Sequence, residues 1–132
     1  MIVVECAVWA AMIFGAPEGP KFQEIIENTD KLFVSAATLV ELNTVVITKL
    51  GEAAAVDVVD LMESAGAEIV PVDSDQAGHA VGAFIRYGSG RHAAALSFGD
   101  IFSYALAKSR KVPLLFNNPG FAQTDVTPAV TA

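Results

Sequence analysis

Ile2-Val3-Val4-Glu5-Cys6-Ala7-Val8-Trp9-Ala10-Ala11-Met12-Ile13-Phe14-Gly15 is the stretch that decides the fold. Its first three residues are a β-branched run of the kind that favours a strand, and residues 7–14 read as a short helix that Gly15 ends. Trp9, Met12 and Phe14 have a helical core spacing. A strand that runs straight into a helix, with one acid at the junction, is the start of an α/β unit.

Working outward, the same alternation recurs. Residues 17–28 read as a second helix with Phe22, Ile25 and Ile26 on one face. Leu32-Phe33-Val34 reads as a strand, and Ser35 caps a long helix that reaches Leu50 and stops at Gly51. Residues 53–62 form a further helix closed by Ala65-Gly66, then Glu68-Ile69-Val70-Pro71-Val72 gives a third strand. Asp73 or Ser74 caps a helix over 76–86, and Gly88-Ser89-Gly90 makes a loop before Arg91-His92. Residues 99–108 return to helix, with Lys108, Arg110 and Lys111 at its negative end. Val112-Pro113-Leu114-Leu115-Phe116 is the last strand, Asn117-Asn118-Pro119-Gly120 turns sharply, and the tail beyond Phe121 is weakly patterned. Short apolar strands between helices predict a mainly parallel central sheet covered on both faces, an α/β fold in one domain over residues 1–132.

Composition narrows the function classes. Apolar residues make up 53% of the 132 and charged ones only 17%, which excludes a disordered chain. Met1 to Phe14 carries Glu5 and no basic leading segment, and no run of about 18 apolar residues occurs, so neither a secretory signal nor a membrane span is expected. The single cysteine, Cys6, excludes an intramolecular disulfide and a cysteine-cluster zinc site, and a cytoplasmic location is expected. The formal net charge of −7 disfavours nucleic acid only if charge alone decides. A bound cation reverses the sign locally, and an acidic protein also suits a partner that brings basic residues.

In parallel sheets ligands lie beyond the carboxyl ends of the strands, so the side chains after Val4, Val34 and Phe116 are the ones to inspect. Glu5 follows the first strand directly. Glu41 lies about two turns into the helix after the second, and Asp100 stands where a helix dipole favours an anion. Each alone reads equally well as a solvated or capping charge. Glu41, however, follows Ala36-Ala37-Thr38-Leu39-Val40, and Asp100 is flanked by Phe98, Ile101 and Phe102. Carboxylates in apolar surroundings need a cation or hydrogen-bond donors to replace lost hydration. An all-oxygen set suits Mg²⁺ or Mn²⁺ better than zinc. His79 reads as a surface or packing histidine, and Cys6 as a small buried hydrophobe.

At these residues the sequence resembles the PIN-domain ribonucleases, specifically the VapC toxins of toxin-antitoxin pairs. Ile2-Val3-Val4-Glu5-Cys6-Ala7 is similar to the opening strand and first acid, and Ser35-Ala36-Ala37-Thr38-Leu39-Val40-Glu41 to the second acid's helix start. The longest match is Tyr87-Gly88-Ser89-Gly90-Arg91-His92 with Leu96-Ser97-Phe98-Gly99-Asp100-Ile101-Phe102-Ser103-Tyr104-Ala105-Leu106-Ala107, followed by Pro113-Leu114-Leu115-Phe116. The resemblance implies a three-layer α/β/α PIN-like domain and a type II toxin that cleaves RNA endonucleolytically. It also implies a Mg²⁺ or Mn²⁺ site on Glu5, Glu41 and Asp100, a homodimer, and a VapB-like antitoxin. Arg91 and His92 match a basic pair that approaches RNA phosphate in one reading and serves as an ordinary loop cation in the other.

Two departures from the family pattern stand beside this. The first acid is usually aspartate followed by threonine and serine, whereas this chain has Glu5-Cys6-Ala7. A glycine and an acidic pair usually follow the last strand, whereas this chain has Asn117-Asn118-Pro119-Gly120-Phe121. Asn117, Asn118 and Asp125 are the residues available in place of the missing fourth acid, with turn and tail capping as their alternative role. The alternative function is a catalytically weakened or inactive PIN-like domain that acts by binding antitoxin or RNA. A flavodoxin-like small-molecule domain lacks the glycine-rich phosphate loop it would need.

Overall fold

The computed structural model describes residues 1–129. Four strands, β1 (Ile2–Val4), β2 (Leu32–Ser35), β3 (Ala67–Val70) and β4 (Leu114–Leu115), form one sheet in the order β3-β2-β1-β4. All pairings are parallel, with Ile2 opposite Leu32, Val3 opposite Leu114 and Leu32 opposite Ala67. The helices are α1 (Cys6–Ile13), α2 (Gly19–Glu27), α3 (Ala36–Leu50), α4 (Ala55–Ala65), α5 (Ser74–Tyr87) and α6 (Asp100–Arg110). The expected three-layer α/β/α arrangement is the one observed.

The layers follow from strand pleating, which sends alternate side chains to opposite faces. Val3, Phe33 and Leu114 pack with Ala80 and Ala83 of α5 and Tyr104, Ala105 and Leu106 of α6. Ile2, Val4, Leu32, Val34 and Leu115 pack instead with Val8 and Trp9 of α1, Phe22 of α2, Leu42 and Val46 of α3, and Val58 and Met62 of α4. Both faces are apolar and covered, as parallel strands require. Among the described residues no helix is long and apolar enough to cross a membrane.

Element ends shift for local reasons. β3 stops at Val70 rather than Val72, because Pro71 has no N–H to continue the ladder. The last strand is two residues rather than five, with Pro113 immediately before it. The tail that the sequence pattern leaves unassigned runs beside β4: Leu114 N–H donates to Thr127 O (2.9 Å) and Ala129 N–H donates to Leu114 O (2.9 Å). That return covers an edge which would otherwise be open. Asp125 anchors it, accepting from Tyr104 Oη (2.6 Å) and Lys108 Nζ (3.1 Å).

One polar contact inside the fold sets the spacing of two helices. Thr38 Oγ1 and Ser103 Oγ lie 3.0 Å apart and both residues are buried. Thr38 is three residues before Glu41 on α3, and Ser103 three residues after Asp100 on α6, so the pair ties together the two helix turns that carry those acids. Ser103→Ala strands the Thr38 hydroxyl and is expected to cost about 1–3 kcal/mol in urea unfolding. Adding Thr38→Val should cost less than the two single changes summed, and strict additivity would show the hydroxyls to be uncoupled.

Candidate active site

β1 lies between β2 and β4, so the carboxyl ends of these three strands open at one place. Glu5 is the first residue beyond β1. Its backbone N–H donates to Leu115 O (3.1 Å), which carries the β1–β4 ladder one step past the strand and fixes the start of the side chain. The residue is 2% exposed, and its Oε1 accepts from the backbone N–H of Asn117 (2.8 Å). Burial pushes the Glu5 carboxyl up to about 7, the Asn117 N–H opposes the shift, and the negative charge of Asp100 adds to it.

Glu41 reaches the same edge from α3, a helix whose start is fixed by Ser35 Oγ accepting from the N–H of Ala37 (3.2 Å). It is half-buried. Burial raises its pKa, a hydrogen bond from the Cys6 thiol acts in the opposite sense, and Asp100 raises it further. Cys6 is held well above the usual thiol range, first by burial and then by the charges of Glu41, Glu5 and Asp100. At neutral pH it is therefore a protonated donor rather than a thiolate, in keeping with its hydrogen bond to Glu41.

Asp100 begins α6. Its Oδ2 accepts from the backbone N–H of Ser97 (2.8 Å), while Ser97 Oγ accepts from the N–H of Asp100 (3.2 Å). This reciprocal pair is a capping box with aspartate in the acidic position. A further donor, Asn118 Nδ2, reaches the same Oδ2 at 3.1 Å.

The three sequence-predicted acids are thus neighbours, and Cys6 senses all three. As placed, no three His, Cys, Asp or Glu side chains among the described residues close on a common point that could hold a metal ion. Glu5 and Asp100 turn toward N–H donors instead. No lysine or arginine among the described residues pairs with any of the three acids; the ion pairs that form involve Asp75, Glu68 and Asp125. Oxygen donors, burial and the lack of a cationic partner together fit a hard divalent ion in chemistry.

The remaining expected residues have other roles. Asn118 Oδ1 accepts from the N–H of Gly120 (3.0 Å) and so caps the 3-10 turn Pro119–Gln123. Asp125 is committed to Tyr104 and Lys108, with Arg86 at 4.0 Å, and does not swing toward the acids. Arg91 Nε donates to Ile85 O (3.0 Å), and His92 Nδ1 accepts from Ala94 N–H (2.9 Å) while its ring stands edge-on to Tyr87. Both are exposed, and each closes its own loop. Glu18, the residue just before α2, adds a brace that the sequence does not signal: its Oε1 accepts from Asn117 Nδ2 (3.1 Å) and so steadies the support of Glu5. A contact across 99 positions leaves no local sequence signal.

The raised Glu5 pKa has a signed consequence. The folded chain holds this proton more tightly than the unfolded one, whose ordinary value is 4.5, so the group's contribution to stability falls as pH rises from about 4.5 to about 7. Glu41 shifts in the same direction. With chelator present, the protein should melt at a lower temperature at pH 8 than at pH 6, and Glu5→Gln should shrink that difference. An unchanged difference in the variant would mean that Glu5 is not the group responsible.

The family profile described as PIN domain matches residues 2–126. Ribonuclease VapC30 of Mycobacterium tuberculosis is 34% identical over 125 residues, covering 95% of this chain and 95% of that protein. The crystal structure of M. tuberculosis VapC20, described as a Sarcin-Ricin loop cleaving toxin, superposes with a TM-score of 0.79 at 19% identity, covering 96% of this chain and 97% of that one. A toxin-antitoxin complex from Klebsiella pneumoniae superposes with a TM-score of 0.70 at 17% identity, covering 95% and 93%. The two structural likenesses establish the fold, and the sequence likeness extends over nearly the whole chain. This chain belongs to the PIN-domain family, alongside the VapC ribonucleases.

Proposed function

We propose that the chain is the toxin of a VapBC-type pair, a metal-dependent endoribonuclease in which Glu5, Glu41 and Asp100 hold Mg²⁺ or Mn²⁺. The observation that carries this reading is the gathering of three acids at one edge of the sheet, none paired with a lysine or arginine among the described residues and one of them almost wholly buried. A VapB-like antitoxin, a homodimer, an RNA substrate and a cytoplasmic location complete the proposal. It is supported by the identity to VapC30 and by the net charge of −7, which suits a basic partner.

When bound, the ion supplies Lewis-acid stabilisation of charge for phosphodiester hydrolysis. The chain's own residues position the acids. Asn117 N–H holds one oxygen of Glu5, Ser97 N–H and the Asn118 amide hold one oxygen of Asp100, and the Cys6 thiol steers Glu41. The apolar surroundings of Glu5 exclude water and strengthen each of these interactions.

One observation favours a binding-only domain as the second reading. Asn118 directs an amide N–H at Asp100 and spends its carbonyl on Gly120, so it adds neither charge nor a free ligand oxygen. Cleavage of a mixed RNA pool by antitoxin-free protein in Mg²⁺ or Mn²⁺ separates the two. The nuclease reading expects cutting that chelator abolishes and that Asp100→Asn lowers by more than the ~10–100-fold typical of losing an outer-shell partner of a metal site. No cutting by the folded parent would leave the binding-only reading standing.

A further inference from the structure

Gly99 precedes Asp100 with φ −69° and ψ −38°, a right-handed conformation that any residue adopts. Backbone freedom therefore does not account for glycine there. Space does: a Cβ built on Gly99 would fall within the Glu41 carboxylate, overlapping Oε2, Cδ and Oε1. Most other glycines have nothing within 4 Å of where a Cβ would lie, and the rest meet different neighbours. A Cβ on Gly120 would strike the backbone oxygen of Ala94, and one on Gly88 would strike the ring and backbone oxygen of Phe84. At Gly99 the nearest atoms all belong to one acidic side chain from another helix.

Neither helix is free to retreat from this contact. The start of α6 is fixed by the reciprocal Ser97–Asp100 hydrogen bonds, and α3 and α6 are joined by the buried Thr38–Ser103 pair one turn away. The Cys6 thiol engages Glu41 as well. In such a setting the mobile group is the carboxylate itself.

We propose that the bare Cα of Gly99 is the seat of the Glu41 carboxylate, which makes Gly99 a positioning residue that brings Glu41 beside Asp100. The consequence for metal binding rests on the reading of Glu41 as a ligand; the steric claim does not. Any side chain at 99 drives the carboxylate away and opens the acidic cluster, without contacting substrate itself.

The test uses the full chain with Gly99→Ala, Glu41→Asp and both together, reading the Mn²⁺ concentration that half-saturates the rise in melting temperature, and stability in chelator. Gly99→Ala should fold and need at least ~10-fold more Mn²⁺, the scale of losing a group that orients a ligand. Aspartate is one methylene shorter and withdraws from the occupied volume. The double variant should therefore need no more Mn²⁺ than Glu41→Asp alone, and Glu41→Asp should relieve any stability loss caused by Gly99→Ala. Additive effects on both readouts, or parental Mn²⁺ behaviour in Gly99→Ala, would overturn the proposal. If the parent shows no Mn²⁺ response, the ligand reading fails, and the stability coupling in chelator decides the steric claim alone. If Gly99→Ala does not fold, recovery of folded signal in the double variant supports the claim and its absence overturns it.

Discussion

Concentrating negative charge where water is scarce is the constraint on which the rest of this molecule depends. A buried carboxylate loses hydration worth several kcal/mol, and a second one nearby adds repulsion. Glu5 meets both conditions: it is buried, and the charge of Asp100 acts on it. The chain answers with fixed N–H donors, from Asn117 to Glu5 and from Ser97 and Asn118 to Asp100, rather than with lysine or arginine. Donors of this kind reduce the penalty without neutralising the charge. They leave a site that is compensated in part and available to a cation.

The architecture explains how the acids come to one place. A parallel sheet aligns its carboxyl ends, and the order β3-β2-β1-β4 places β1 centrally, between the strand that leads to α3 and the strand that leads to Asn117. Glu5 therefore comes directly from the sheet, Glu41 from the helix after β2, and Asp100 from a helix on the opposite face. The site spans both apolar layers, so its geometry depends on how α3 and α6 pack. The Thr38–Ser103 contact and the bare Gly99 both act on that packing, one by joining the helices and the other by making room between them.

Most of the fold was legible because its determinants are local. The β-branched run at Ile2-Val3-Val4, the Ser35 cap and the glycine stops at Gly51 and Gly66 each act within a few residues, and the elements lie where those signals put them. The strands are shorter than the apolar pattern where proline intervenes, because apolar character continues past the end of the ladder at Pro71 and begins before its start at Pro113. The candidate acids were visible through apolar neighbours in sequence. Their support was not: Asn117 holds Glu5 across 112 positions, and Glu18 braces Asn117 across 99. Asn118 and Asp125 show the same limit from the other side. Sequence alone leaves each as an available oxygen, whereas tertiary contacts commit one to a turn and to Asp100, and the other to Tyr104 and Lys108.

If partial compensation leaves the acids open to a cation, metal and proton must compete for Glu5. Calorimetric titration of Mn²⁺ into the chelator-stripped full chain, repeated in buffers of different ionisation enthalpy, measures that competition directly. The account predicts binding that releases protons at pH 6, releases fewer at pH 8, where Glu5 is mostly ionised, and releases fewer at pH 6 in Glu5→Gln than in the parent. Absence of binding, or proton release that is the same at both pH values and unaffected by Glu5→Gln, would contradict it.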